Sequence, residues 1–480
     1  MIWLSLLLLG LLLYFIVKYS VVYVTHTPWW LLWGILMAPA VLMATWASTM
    51  GTEEPIPPPL VIAAFVISSV LYISLVRMNP KQPASAKTPP SPPTSPALLS
   101  LTKDEDSQLR VCFPWSIYFL QEVECKPQAI ICRGQLRAES KLAYETVRDN
   151  VQTQFGDRYL VLFQIGAKDQ PFFALVPNPN HDRPQKKLTY PGLALGLLAL
   201  TLVTTTFAGT ELVKTELSNQ VATNPQVLWA GIPYAIAILF ILGVHEFGHY
   251  LTARYYKIKA TLPYFIPLPF SFGTFGAFIQ MKSPMPNRVA LFDVGIAGPM
   301  AGLVVTLPLL VWGLLNSSLT GLPAKPNVLD LHAFNPSVSV LFALISKAVF
   351  QADLTMAQVI DLHPVAIAGW LGLIVTAFNL MPIGQLDGGH IVHAMFGHRQ
   401  GILIGQIARL LILLLSLIQP LLLVWAFILL WFPVADQPAL NDVSELDNRR
   451  DFLGLVALGI MLLIILPLPH SIAHLLLEMG

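Results

Sequence analysis

His245, Glu246 and His249 stand in one run, His245-Glu246-Phe247-Gly248-His249, that closes the apolar stretch beginning at Ile238. On a helix, residues four apart share a face, so both imidazoles reach one divalent metal. Glu246 then sits a short rotation away, beside the position where water would stand. With Arg254 taken as the membrane interface and about 1.5 Å of rise per residue, the two histidines lie roughly 8 to 14 Å deep. An ionisable carboxylate at that depth is costly, which favours a function over a chance pattern.

A zinc site of the catalytic kind needs a third protein ligand and one open position. The second polar island in apolar sequence, Asn379-Leu-Met-Pro-Ile-Gly-Gln-Leu-Asp-Gly-Gly-His390, supplies candidates. Asp387 is the natural one, because a carboxylate neutralises part of the zinc charge and the two glycines after it let the backbone turn tightly. His390 competes, since imidazole also binds zinc well. Asn379 suits a hydrogen bond to a developing oxyanion or to substrate backbone, and equally a helix cap or interhelical bond. His363, His393 and His398 read as interfacial or loop residues.

These islands must be carried by membrane helices. The 480 residues are 55% hydrophobic and 11% charged, against about 25% charged in an ordinary soluble protein. Apolar runs at residues 1–24, 28–47, 60–76, 191–208, 227–253, 290–315, 365–381, 402–432 and 452–468 give nine spans, with the overlong 402–432 run, interrupted by Gln419-Pro420, counted once. Basic residues set the orientation: Arg77, Lys81, Lys87, Arg183, Lys186 and Lys187 keep the segment between spans three and four in the cytoplasm. Alternation then places Glu53-Glu54 and the acidic stretch from Asp436 to Asp447 on the opposite side. It also brings the two polar islands to one side at similar depth.

The expected architecture is a polytopic α-helical membrane protein, about nine spans plus a re-entrant segment, with a small cytoplasmic α+β domain. N-terminal helices occupy 1–77, a Pro-rich semi-rigid linker 78–101, the soluble domain 102–180, the helical core 188–432, and an acidic loop with a last helix 433–480. Within the soluble domain, Ala129–Cys132 reads as a strand, Glu139–Phe155 as an amphipathic helix, and Tyr159–Ile165 with Phe172–Val176 as a hairpin turning at Lys168-Asp169-Gln170. Pro263–Met281, apolar but rich in Pro and Gly, suits a re-entrant loop or sheet. Its edge could pair with a substrate strand, or it could be a packed interfacial hairpin. Gly298-Pro-Met-Ala-Gly302 is most simply a close helix-packing face, and Asp293 an interfacial or supporting group.

A net charge of +1 gives no footprint for nucleic acid. Cys112, Cys125 and Cys132, odd in number and spaced unlike a zinc knuckle, read as reduced structural thiols.

On the HEFGH run at His245–His249 and the NLMPIGQLDGG run at Asn379–Gly389, the chain resembles the site-2 proteases, intramembrane zinc metalloproteases of peptidase family M50. The resemblance is strongest over residues 240–400. It implies Zn2+ bound by His245, His249 and Asp387, Glu246 as catalytic acid and base, and a transmembrane protein in the lipid bilayer as substrate. The Gly273-Thr-Phe-Gly276-Ala-Phe-Ile segment and the soluble domain make it similar to the cyanobacterial and chloroplast branch, the ethylene-dependent gravitropism-deficient and yellow-green proteins. Gly273, Gly276 and Asn379 are the candidate substrate-binding residues. No insertion of PDZ size separates the two islands, and the lack of a Ser- and Arg-rich leader favours a cyanobacterial plasma or thylakoid membrane. A metal transporter or an inactive membrane scaffold is the alternative. Against transport, the polar residues gather at one depth instead of forming a ladder across the bilayer.

Overall fold

A computed structural model describes residues 27–50, 58–78, 101–166, 169–178, 189–213, 224–268, 271–322, 333–355, 358–417 and 435–469, with isolated residues between and beside these stretches. Most of the first apolar run, Glu53-Glu54, the Pro-rich linker, Lys168, the basic cluster Arg183–Lys187 and Gln419-Pro420 lie outside the described residues. The chain forms two compact units, Met1–Thr94 and Ser95–Gly480. In the first, α1 (Trp29–Met50) and α2 (Pro58–Met78) are apolar helices. They are joined where Ser68 Oγ donates to the Ile35 carbonyl at 2.7 Å.

The second unit begins with α3 (Lys103–Val111), started by a capping box in which Thr102 and Glu105 satisfy each other's backbone N–H. It continues through β1 (Tyr118–Cys125), β2 (Ile130–Leu136), α4 (Ser140–Phe155), β3 (Tyr159–Ile165) and β4 (Pro171–Pro177). The strands form an antiparallel sheet in the order β1-β2-β4-β3. Its core is aromatic, with Phe163 stacked on Phe173 at 4.2 Å and Tyr118 set edge-on to Phe173 at 5.0 Å. Sequence periodicity does not announce α3 or β1, the first being short and polar and the second bulged at Leu120/Glu122.

The helical core follows: α5 (Pro191–Val213), α6 (Ile232–Tyr255), the hairpin β5 (Tyr264–Pro267) and β6 (Thr274–Phe278), α7 (Arg288–Leu315), β7 (Ser318–Gly321), α8 (Val340–Phe350), β8 (Gln358–Asp361), α9 (Pro364–Asn379), α10 (Asp387–Phe396), α11 (His398–Ser416) and α12 (Asn448–Ile465). Helix α7 is the central bar, packed against α6, α9 and α10. Among the described residues, five helices are long and apolar enough to cross a membrane: Trp29–Trp46, Pro191–Leu212, Gln226–Tyr255, Arg288–Leu315 and His398–Ser416. The shorter α8 and α9 are also apolar.

One expectation is overturned. The acidic stretch from Asp436 does not lie across the membrane from the soluble domain but is bonded to it. Phe163 N–H donates to Leu440 O at 2.7 Å and Asp442 N–H to Phe163 O at 2.9 Å. Asn441 is bridged in parallel to both Phe163 and Asn287. Residues 436–447 therefore form a strap that covers the open edge of β3 and ties it to the start of α7, removing an exposed sheet edge. The physical reason is a reversal of direction. Helix α11 has 19 residues, about 28 Å at 1.5 Å per residue, yet Asp436 Oδ2 stands 2.8 Å from His393 Nδ1, close to where α11 begins. By residue 436 the chain has therefore returned from the end of α11 toward its start. Consistent with a return leg, Trp425 packs on Phe378 of α9 and Leu422, Ala426 and Leu429 are buried. Residue 436 thus stands back near the start of α11 and not beyond its far end.

Candidate metal centre and active site

Helix α6 places His245 and His249 one turn apart on its buried face, with Glu246 beside them; the three are 3%, 7% and 6% exposed in the order His245, Glu246, His249. The facing wall is α7. His249 Nδ1 donates to the Val294 carbonyl at 2.7 Å, which fixes the ring and leaves Nε2 as a lone pair aimed at the site. Asp387 arrives from the first turn of α10, after Leu380–Leu386 turn the chain sharply out of α9.

The three donor atoms converge. His245 Nε2 and His249 Nε2 are 3.2 Å apart, and Asp387 Oδ2 lies 3.5 Å from the first and 3.3 Å from the second. Ligands about 2.0–2.2 Å from a zinc ion in tetrahedral array stand about 3.3–3.6 Å from one another. The measured triangle fits three vertices of that tetrahedron, and two imidazole lone pairs facing a carboxylate in an apolar interior are a donor set that calls for a cation. Among the described residues these three form the one group of His, Cys, Asp and Glu gathered closely enough to hold a metal.

His390, the competing third ligand, is turned elsewhere. Its Nδ1 meets Asp436 Oδ2 of the strap at 2.8 Å, and His393 bridges Asp436 and Asp442 at 2.8 and 2.9 Å. Asn379, at the end of α9, has its amide nitrogen 3.1 Å from His245 Nε2. The Glu246 carboxylate lies close to the backbone of Ile279, just beyond β6.

The hairpin glycines divide. Gly273 has φ +79, and a Cβ there would lie 2.5 Å from Thr205 Cα, so the residue lets the hairpin turn press against α5. The Gly273 carbonyl accepts from Thr204 Oγ1 at 2.6 Å. Gly276 has φ +108 and open space around it.

Sequence reading missed the role of the Gly298-x-x-x-Gly302 pair. A Cβ on Gly298 would overlap the His249 ring, with Cε1 only 2.5 Å away, and one on Gly302 would come within 3.3 Å of His245 Cβ. The two glycines seat the two imidazoles. The signal was present, because the glycine spacing of four matches the histidine spacing of four on a packed neighbour. Arg288 was also missed. It is 5% exposed and donates from Nε to Ala394 O at 2.7 Å and from Nη2 to Met395 O at 2.9 Å. It thereby holds the end of α10 to the start of α7 and satisfies carbonyls left over at the helix terminus. Asp293 is paired with Arg450 of α12 at 2.7 Å through both carboxylate oxygens and accepts from Tyr256 Oη at 2.5 Å.

Comparison with known proteins agrees with this geometry. Residues 233–423 match Peptidase family M50, and residues 107–184 match the EGY3 middle domain. The chain is 36% identical over 246 residues to the probable zinc metalloprotease EGY1, chloroplastic, of Arabidopsis thaliana, covering 51% of this chain and 44% of that protein. It is 28% identical over 364 residues to EGY2 of the same plant, covering 75% and 64%. To the EGY3 protein of Oryza sativa subsp. indica it is 25% identical over 378 residues, covering 75% and 64%. The chain thus spans about half the length of the first of these relatives. No solved structure matches. With the metal-binding geometry, the match across both polar islands and the match of the soluble domain taken together, the chain belongs to the site-2 protease family of zinc metalloproteases, peptidase family M50, in its EGY-like branch.

Proposed function

We propose that the chain is an intramembrane zinc endopeptidase that hydrolyses peptide bonds in or near transmembrane segments of membrane-protein substrates, with its active site toward the cytoplasmic side. The observation that carries this reading is the triangle of His245, His249 and Asp387 donor atoms with Glu246 one residue along the same helix, all within a bundle of apolar helices. His245, His249 and Asp387 would hold the zinc, which when bound polarises a carbonyl and makes water acidic enough to react near neutral pH.

Glu246 accepts a proton from the attacking water as its oxygen adds to the scissile carbonyl carbon, then delivers that proton to the amide nitrogen as the C–N bond breaks. Asn379, beside His245, is placed to donate to the developing oxyanion. Carbonyls of an intact substrate helix are already hydrogen-bonded, so the substrate must unwind locally, and helix-weakening residues belong at the scissile segment. The open space at Gly276 suits pairing of that unwound strand with β6, while Gly273 anchors the hairpin.

Glu246→Gln should leave folding and zinc content intact and abolish cleavage of a reconstituted single-span substrate. Retained cleavage refutes the assignment. A chelator-sensitive turnover assay separates the enzyme from an inactive scaffold, and zinc flux into proteoliposomes separates it from a transporter.

A further inference from the structure

A cavity of about 520 Å³ lies between the soluble domain and the helical core. Five separated parts of the chain wall it: Leu160 of β3, the segment 279–285 after β6, Leu291 of α7, Gln385 with His390, and residues 436–438 of the strap. Two walls touch the candidate active site. The Ile279 backbone lies close to the Glu246 carboxylate, and Gln385 stands two residues before Asp387.

The lining is chemically suited to a peptide. Gln280, Gln385 and Gln437 line it; the carboxamides of Gln385 and Gln437 both donate and accept, matching the donor and acceptor of every peptide unit, and Gln280, whose oxygen accepts from Lys282, has its NH2 as a donor. The backbone adds a rung. Thr261 N–H donates to Gln280 O at 3.0 Å and Lys282 N–H to Lys259 O at 2.7 Å, so the N–H and C=O of Met281 between them point the other way. The Asp436 carboxylate is engaged by His390 and His393, at 2.8 Å each. The Lys282 ammonium, bonded to Gln280 at 2.5 Å, then sets the sign of the chamber.

We propose that this chamber receives the polar stretch of the substrate chain that leaves the scissile bond toward the soluble domain, as an extended segment of neutral or acidic side chains. The inference rests on the peptide-hydrolysis reading above. It explains why the soluble domain is fastened by a strap: β3 and the strap are two of the chamber's walls, and a loose domain would leave it unwalled.

The test uses the full chain carrying Glu246→Gln in lipid vesicles. The probe is a synthetic single-span Leu/Ala helix broken by Gly-Pro, with a Ser-Glu-Ser flank and a benzoylphenylalanine photo-cross-linker in that flank. Cross-links mapped by mass spectrometry are expected in residues 279–285 and 436–438, at least five-fold above those of a probe with the cross-linker in the opposite flank or with a Ser-Lys-Lys flank. Gln437→Trp, which fills the chamber, should cut the yield by a similar factor, while Gln437→Asn should keep most of it. Cross-links spread over the soluble domain, or equal yields from acidic and basic flanks, overturn the proposal. Cross-linking needs no turnover, so the two readings fail separately. Chamber cross-links with no cleavage by the unmodified chain leave the binding site standing and sink the hydrolase. Cleavage with cross-links elsewhere does the reverse.

Discussion

Gly298→Ala tests the packing of α7 against the metal centre with a single methyl group. The added Cβ would lie 2.5 Å from His249 Cε1, where ordinary van der Waals contact begins near 3.4 Å. Nε2, the atom that faces the metal position, would be nearer still, so the imidazole must withdraw by more than about 0.9 Å, or α7 must retreat from α6 by as much. Metal–ligand distances tolerate only about 0.2 Å, and the Val294 carbonyl bonded to Nδ1 opposes any swing of the ring. The expected result is loss of His249 as a ligand, with zinc affinity lowered by about 100-fold or more, at the upper end of what supporting contacts around a metal usually contribute. Gly302→Ala is the internal control, since its Cβ would sit 3.2 Å from His245 Nδ1 and 3.3 Å from His245 Cβ, a shortfall of a few tenths of an ångström. A fall of about ten-fold or less is expected there. The assay is zinc content of purified protein against a graded chelator, with circular dichroism in detergent to confirm that both variants keep their helices. Gly298→Ala protein that holds zinc as tightly as the unmodified chain, or a larger loss in Gly302→Ala, refutes the reasoning.

Three further outcomes follow from neighbouring contacts. Asp387→Asn should sharply reduce zinc occupancy measured by metal analysis while His390→Ala leaves it near one per chain, because the His390 ring is bonded to Asp436; the opposite order would make His390 the ligand. Arg288→Met removes two hydrogen bonds from a buried guanidinium to the end of α10 and should lower stability in a detergent unfolding titration by about 3 kcal/mol; a change below about 0.5 kcal/mol would show that the anchor is dispensable. Burial works against ionisation of Asp436, but His390 and His393 outweigh it and hold its carboxyl well below the usual carboxylate range. A depressed folded-state pKa stabilises above the unfolded value of about 3.9 and ceases to do so as pH falls toward the folded one. Asp436→Asn should therefore melt lower than the unmodified chain at pH 7, with the gap closing only in strong acid; a gap independent of pH would rule out the ionised carboxylate as its source.

The legible part of the site was the part fixed by helix geometry. His245, Glu246 and His249 need only a turn of 3.6 residues to share a face, so their sequence spacing already implies their arrangement. The soluble domain's helix and β3–β4 hairpin were legible for the same reason, each being periodic over its own length. Charge favoured Asp387 over His390, but position did not divide them, because residues three apart on one helix lie on nearly the same face; what does divide them is the strap, which arrives from nearly fifty residues away and engages His390. Gly298 and Gly302 read as a packing face, and only the register of α7 against α6 shows that what they pack against is the two imidazoles.

The sequence by itself settled the solvent, the chemistry of the donors and the spacing that lets two of them share an ion, since composition and helical period are local properties. Tertiary structure alone decided which side the strap occupies, which residue completes the triangle and what seats it. The return of the chain from the end of α11 to the strap is a change of direction that hydropathy does not register, because it is fixed by contacts between residues distant in sequence.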